Sequence, residues 1–217
     1  MTFHVKRTAD AVDRALAWLE VEPRAEVRAS LAEYADWVRT EGRDAGAIGP
    51  SEVPRLADRH IGDSLCFAAG FTAGLPNRVV DVGSGIGLPG VPLAIAFPGV
   101  GFTLLDRSGR RTGLLRRVVR ILGLENVEVL ESDVNRLDQA FPGMTFRASL
   151  ALPAAMAIVC RSLETDGQAV FGLSRTTPPD EDTLLADAVS VGLSARVVAV
   201  PPDILDSPAW LLRMTPQ

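Results

Sequence analysis

Glycines alternate with other residues directly after a short β-branched run at 79–82, in the pattern D-x-G-x-G-x-G from Asp81 to Gly87. A second aspartate, Asp106, follows Gly87 by 19 residues and ends the next apolar run. Glycine lets the backbone approach a ligand closely, and a carboxylate at the end of a second strand can accept hydrogen bonds from the hydroxyls of a ribose. The spacing therefore predicts a site for a ligand that contains a nucleoside.

The positions of the glycines distinguish between two nucleoside cofactors. A dinucleotide fingerprint, G-x-G-x-x-G, that starts at Gly83 would need its third glycine at position 88, which is Leu88. A frame that starts at Gly85 begins too far from the end of the strand. An acidic start with alternating glycines is typical of loops that bind S-adenosylmethionine, which has no pyrophosphate to be wrapped. We therefore expect Asp81, Gly83 and Gly85 to hold S-adenosylmethionine and Asp106 to bind its ribose, and a nicotinamide oxidoreductase is a distant alternative.

Each aspartate also has a purely structural interpretation. Asp81 could be a buried carboxylate that accepts hydrogen bonds from the loop amides, and this alternative stays open. Asp106 could cap the helix that follows it. Its pairing with a glycine loop at this spacing favours the ribose role.

Strands and helices alternate from residue 75 onward, which indicates a parallel sheet with helices on both faces. We expect strands at 79–82, 102–105, 126–130, 145–150 and 169–173, and a closing hairpin of strands at 195–200 and 210–214. Helices are expected at 88–97, 109–122, 153–163 and 181–191. The first 75 residues have helical spacing, with one helix over 52–71, and no strand is expected there.

The composition limits the classes of function. The chain has 217 residues, a net charge of −5, two cysteines and two histidines, so a disulfide framework or a zinc site is not expected. The start of the chain lacks an apolar run after its basic residues, and prolines interrupt the longest apolar run. These features predict a cytoplasmic, metal-free protein. Six arginines fall in the 14 residues after Asp106, and they form either a solvated helix face or a patch that contacts phosphates.

Three segments, DVGSGIGLPGVPLAIAFP, FTLLDRSGRRTGLLRRV and LGLENVEVLESDV, resemble the RsmG (GidB) family of 16S ribosomal RNA methyltransferases. Upstream, IGPSEVPRLADRHIGDSL at 48–65 is similar to the Arg-His-x-x-(Asp/Asn) helix of that family in its actinobacterial form. The resemblance covers about residues 30–175. It implies a Rossmann-like class I methyltransferase sheet, mostly parallel with an antiparallel last strand. It also implies an N-terminal helical segment, 1–75, packed on an S-adenosylmethionine-binding domain, 76–217.

The resemblance implies methyl transfer to N7 of one guanine, with 16S rRNA or a precursor of the small ribosomal subunit as the partner. It places Gly83 and Leu88 in the cofactor loop. It assigns the residues after the third strand, Asp133, Val134 and Asn135, to the cofactor site near the adenine, and Arg147 to a catalytic position beside cofactor and substrate. Structural alternatives are core packing for Leu88 and Val134, a solvated turn for Asn135 and a surface ion pair for Arg147.

Guanine N7 carries an in-plane lone pair and needs no general base, so positioning and electrostatics can suffice. The resemblance of Arg59-His60 to the Arg-His pair of the family implies that His60 fastens the N-terminal helices to the sheet, and it is not expected to be catalytic.

The chain departs from the family pattern on the substrate side. Asp133 stands where the family has an arginine, and Ser174 stands where it has a lysine, which Arg175 could replace. Arg147, Arg175 and the arginines after Asp106 would then contact RNA phosphates. These departures leave two alternatives: a methyltransferase for a different RNA or small-molecule acceptor, and a cofactor- or RNA-binding relative that has lost turnover.

Overall fold

The computed structural model describes residues 3–22 and 24–217, with the backbone alone for residues 3–5. Its centre is a seven-stranded sheet in the order β3-β2-β1-β4-β5-β7-β6. The strands are β1 (Arg78–Val82), β2 (Gly101–Asp106), β3 (Val127–Glu131), β4 (Phe141–Phe146), β5 (Leu163–Gly172), β6 (Leu193–Val200) and β7 (Ala209–Pro216). The first five strands run parallel, and β7 is antiparallel to both of its neighbours. The predicted fold class and the closing hairpin are confirmed.

Helices cover both faces of the sheet. They are α1 (Phe3–Trp18), α2 (Ala25–Trp37), α3 (Asp63–Cys66), α4 (Gly90–Ala96), α5 (Gly109–Ile121), α6 (Leu152–Ser162) and α7 (Glu181–Ser190). Successive strand residues point to opposite faces, so Leu104 packs in the apolar cluster of α2, α4 and α5, whereas Leu105 packs with α6. No helix within residues 3–22 and 24–217 combines the length and the apolar character needed to cross a membrane.

The helical N-terminal part packs against the first strand–helix unit. Short helical turns at Val38–Gly42, Val53–Arg55, Leu56–Gly62 and Phe67–Gly70 extend α2 and flank α3. Buried Leu31 and Tyr34 of α2 share one apolar cluster with Ile86, Leu88 and Val91. Among the described residues before Arg78 the structure contains no strand. This packing places side chains of the N-terminal helices next to the carboxyl ends of the strands.

The fourth strand lies earlier than the predicted 145–150. It begins at Phe141 and ends at Phe146, after which Ala148 adopts a positive φ of 51° and turns the chain away from the sheet. Pro142 and Gly143 disfavour a strand in the sequence. Here the glycine is required by close packing, since a Cβ at Gly143 would lie 2.5 Å from Cγ of Pro76.

Candidate functional site

A cavity of about 540 Å³ opens at the carboxyl ends of β1, β2, β3 and β4. This is the edge of a doubly wound sheet at which ligands bind, next to the point where the strand order reverses. The cavity is lined by Gly83, Gly85, Leu88, Asp106, Asp133, Val134, Asn135 and Arg147. Eight of the nine residues predicted for the site are therefore brought together, and Asp81 is the exception.

The turn after β1 brings bare backbone to the cavity. Gly83 has a φ of +71°, and a Cβ built there would lie 2.5 Å from Cβ of Ser149, which follows β4. Gly85 has a φ of +65°, but a Cβ there would meet no described atom closer than 4.0 Å. Glycine is required at the two positions for different reasons. Both residues adopt the left-handed conformation, which glycine adopts without strain. At Gly83 there is in addition no room for a Cβ, because Ser149 lies too close.

Asp81 lies beneath this turn, is fully buried and is not among the residues that line the cavity, so its direct contact with a cofactor stays a prediction. Its Oδ2 accepts hydrogen bonds from Oγ of Ser84 at 2.6 Å and from the backbone N–H of Gly90 at 3.1 Å. Its Oδ1 accepts one from Oγ1 of Thr145 at 3.1 Å. The carboxylate therefore ties the glycine turn and the start of α4 to β4, as its structural interpretation required.

The position of Asp81 predicts a dependence of stability on pH. Burial raises its pKa from 3.8 to about 6, while its three hydrogen bonds act in the opposite direction. Because the folded protein holds this proton more tightly than the unfolded chain, the stability Asp81 contributes is complete below about pH 4 and is lost as pH rises through about 6. Between pH 4 and 6 we expect the free energy of unfolding of the unchanged chain to fall by roughly 3 kcal/mol more than that of Asp81→Asn, which has no carboxyl group to titrate at this position. Urea titrations at several pH values measure this difference.

Asp133→Asn is the control for that experiment. The pKa of Asp133 is lowered by hydrogen bonds from Asn135, so its contribution is lost as pH falls below its ordinary value of 3.8. Equal slopes between pH 4 and 6 for Asp81→Asn and the unchanged chain would contradict the assignment.

Asp106 lines the cavity at the end of β2 and joins two turns. Its Oδ2 accepts a hydrogen bond from the backbone N–H of Gly85 at 3.1 Å, and its Oδ1 accepts one from that of Ser108 at 2.9 Å. Nη1 of Arg111 lies 3.5 Å from Oδ2. The residue therefore has part of the predicted capping role, because it engages the entry to α5, and it also presents a carboxylate to the cavity.

The turn after β3 gives the cavity an apolar wall with a polar rim. Val134 is 9% exposed and Leu88 is 8% exposed, and the two side chains pack in different apolar clusters. Oδ1 of Asp133 accepts hydrogen bonds from the backbone N–H and Nδ2 of Asn135 at 2.9 and 3.0 Å. Arg161 of α6, which the sequence did not suggest, donates from Nη2 to the carbonyl oxygen of Val134 at 3.1 Å. This wall suits a flat ring.

Arg147 follows β4 and is anchored by the helical segment before the sheet. Its Nε lies 3.0 Å from Oδ2 of Asp63, and its Nη2 donates to the carbonyl oxygen of Arg59 at 2.9 Å. Nη2 also lies 3.3 Å from Nδ1 of His60. The structural alternative of a solvated surface ion pair does not apply, because the Arg147 side chain is 17% exposed and lines the cavity.

His60 is a neutral link in this arrangement. Burial and the neighbouring Arg147 lower its pKa to about 4. Nδ1 faces a guanidinium donor and therefore accepts, so the ring proton is on Nε2, 3.2 Å from Oε2 of Glu52. The expectation that His60 fastens the N-terminal helices to the sheet is confirmed by its contact with Arg147.

Arg175 does not line the cavity. Its side chain is 10% exposed, and its Nη1 lies 3.4 Å from Oδ1 of Asp63. Its Nη2 and Nε donate to the carbonyl oxygens of Ser207 and Pro208 at 2.8 and 3.0 Å. These bonds hold the guanidinium inside the protein and away from the cavity, and its contact with an RNA phosphate stays a prediction.

Four of the six arginines after Asp106 have one of two roles. Arg107 and Arg111 line the cavity. Arg110 donates from Nη2 to the carbonyl oxygen of Ala45 at 2.7 Å, and Arg117 pairs with Glu41 at 3.0 Å. The latter two hold the segment after α2, of which residues 46–48 line the cavity.

Tyr34 is a site residue that the sequence did not reveal. This buried tyrosine of α2 donates from Oη to the carbonyl oxygen of Ile86 at 2.9 Å, so α2 supports the glycine turn from outside the sheet. Its helical spacing indicated core packing alone. Among the side chains of residues 6–22 and 24–217, no three histidine, cysteine, aspartate or glutamate groups are placed so that they could hold a metal ion.

The chain is similar to known methyltransferases in sequence and in fold. The family model described as rRNA small subunit methyltransferase G matches residues 27–190. A ribosomal RNA small subunit methyltransferase G of Acidothermus cellulolyticus is 41% identical over 137 residues, 63% of this chain and 61% of that protein. One of Chromobacterium violaceum is 34% identical over 220 residues and all of both chains. The O-methyltransferase NcsB1, solved with S-adenosyl-L-homocysteine, has a TM-score of 0.58 at 18% identity, over 88% of this chain and 69% of that one.

Proposed function

Because the chain belongs to the rRNA small subunit methyltransferase G (GidB) family, we propose that it methylates N7 of a guanine in 16S rRNA at this cavity. S-adenosylmethionine is the cofactor of this class and supplies an electrophilic methyl group when bound. The site acts in the cytoplasm on the small ribosomal subunit or its precursor, with residues 1–75 as a helical segment on the catalytic domain 76–217.

The observation that carries the proposal is the joining of the glycine turn to Asp106 within one cavity. The Gly85 N–H donates to Oδ2 of Asp106 at 3.1 Å. This bond holds the carboxylate that would bind the ribose of the cofactor next to the bare backbone that would bind its amino-acid part. The open backbone at Gly85 leaves room for the cofactor. Val134 and Asn135 flank the adenine, and Leu88 lines the cofactor loop.

Arg147 is the residue we assign to the acceptor base. A guanidinium donates directed hydrogen bonds to O6 of guanine. Arg147 can therefore orient the guanine while N7 of that base stays free to attack the methyl group. His60 cannot act as the base, because its Nδ1 faces Arg147 and its proton is shared with Glu52. The chain thus supplies orientation and electrostatics, which suffices for a lone-pair nucleophile.

A second acceptor class is favoured by one observation. Arg175, the basic residue nearest to the family's lysine position, is held inside the protein by Asp63 and two carbonyl oxygens. The substrate side therefore lacks one RNA-facing cation, and a different RNA or a small molecule is the alternative acceptor.

The test is transfer of labelled methyl groups to purified small subunits, naked 16S rRNA and a small-molecule fraction. Label in RNA, absent when guanine is replaced by 7-deazaguanine during transcription, is expected. Label confined to small molecules, or none in any fraction, would refute the proposal.

Asp106→Asn is expected to weaken binding of S-adenosylmethionine by about 10- to 100-fold, because one charged acceptor for the ribose is lost and charged hydrogen bonds are worth about 1.5–3 kcal/mol. Calorimetry measures this without RNA. Glu131→Gln is the matched control, since Glu131 ends the adjacent strand opposite Asp106 but contacts Thr112 and Arg116 instead. Equal affinities for the two variants would contradict the ribose role.

A further inference from the structure

Asp63 belongs to the helical segment before the sheet, and its buried carboxylate lies between two arginines, Arg147 and Arg175. It begins α3 and is 8% exposed. Its Oδ2 lies 3.0 Å from Nε of Arg147, and its Oδ1 lies 3.4 Å from Nη1 of Arg175. Burying such a group is favourable only with good partners, and the partner that matters for the cavity is Arg147.

The contacts of Asp63, Arg59 and His60 determine the orientation of the Arg147 guanidinium. They occupy Nε and Nη2 of Arg147. None of these contacts uses Nη1, and Arg147 lines the cavity, so Nη1 is the nitrogen that we assign to a ligand.

The charge of Arg147 is a difficulty for the proposed reaction. S-adenosylmethionine carries a positive sulfonium, and guanine becomes positive when its N7 is methylated. An uncompensated guanidinium in the same cavity would oppose both, because charges interact strongly where water is excluded. His60 is neutral and offsets nothing. Asp63 is the carboxylate in direct contact with Arg147.

We propose that Asp63 is a positioning residue that fixes the Arg147 guanidinium and offsets its charge beside the cationic cofactor. This inference rests on the proposed function for the acceptor, but its charge component concerns the cofactor alone. It predicts a preference between two ligands of nearly the same shape, S-adenosylmethionine with its sulfonium and S-adenosylhomocysteine with a neutral thioether.

The experiment is calorimetric binding of both ligands to Asp63→Asn, without RNA. We expect the affinity for S-adenosylmethionine to fall about tenfold and that for S-adenosylhomocysteine by less than about threefold. Asp206→Asn is the matched control, because Asp206 pairs with Arg175 and Arg55 and not with Arg147. It is expected to leave the ratio of the two affinities unchanged.

Equal losses for both ligands in Asp63→Asn would show a merely structural role and overturn the proposal. Arg147→Gln provides a second variant if Asp63→Asn does not fold. It is expected to shift the ratio several-fold toward S-adenosylmethionine, and an unchanged ratio would also overturn the proposal. A failure of the rRNA assignment appears separately, as absence of methyl transfer to RNA by the unchanged protein.

Discussion

Gly83→Ala is expected to lower the free energy of unfolding by about 2–5 kcal/mol, from about 1–2 kcal/mol for a left-handed residue and about 1–3 kcal/mol for overpacking. The φ of +71° accounts for the first cost, and the approach of Ser149 Cβ to 2.5 Å accounts for the second. Urea unfolding of the protein without cofactor measures the sum. Cofactor affinity is expected to fall with it, because the same turn lines the cavity.

Gly85→Ala separates the two costs. Its φ of +65° is similar, but a Cβ there meets no described atom closer than 4.0 Å, so about 1–2 kcal/mol is expected. Ser149→Gly removes the obstructing atom and should recover the overpacking share in the Gly83→Ala background. A loss that is equal at the two glycines, or that Ser149→Gly does not reduce, would contradict the packing shown here.

Arg147→Gln is expected to lower kcat for rRNA methylation by about 10²–10³-fold, the usual cost of removing a preorganised donor, while affinity for S-adenosylmethionine changes only several-fold. The reason is that Arg147 orients the acceptor base and does not carry the cofactor. Asp63 keeps one charged partner, Arg175, after this change. Single-turnover rates with saturating RNA separate chemistry from binding.

Arg147→Lys and Arg78→Gln are the controls for that measurement. Lysine keeps the charge but loses the fork that contacts Asp63, Arg59 and His60 at once, so a loss close to that of glutamine is expected. Arg78 begins β1 at the end of the strand away from the cavity, and its loss should leave kcat unchanged. A fully active Arg147→Gln would remove the residue from the mechanism.

The cofactor side of the site could be predicted because its information is local. The glycine turn, Asp106 and the residues after β3 each follow a strand, and parallel strands bring their carboxyl ends to one edge. The alternation of strands and helices was sufficient to predict a parallel sheet with helices on both faces. The burial of Asp81 beneath the turn could not be predicted, because a motif shows which residues are near a ligand and not which side of the turn each side chain faces.

The contribution of the N-terminal helices could not be read from the sequence. Tyr34 is 52 residues from Ile86, and Asp63 is 84 residues from Arg147. Periodicity predicts that such helices bury a face, but it does not specify which strand end they meet. The burial of Arg175 could not be predicted for the same reason, since Asp63 and the carbonyl oxygens that hold it lie far away in the chain.

The most direct test of the central claim is the 7-methylguanosine content of 16S rRNA, measured by mass spectrometry of nuclease fragments from cells with and without this gene. The account predicts that one 7-methylguanosine disappears with the gene, returns with the unchanged chain and does not return with Arg147→Gln. A 16S rRNA whose 7-methylguanosine content is the same in both cells would contradict it.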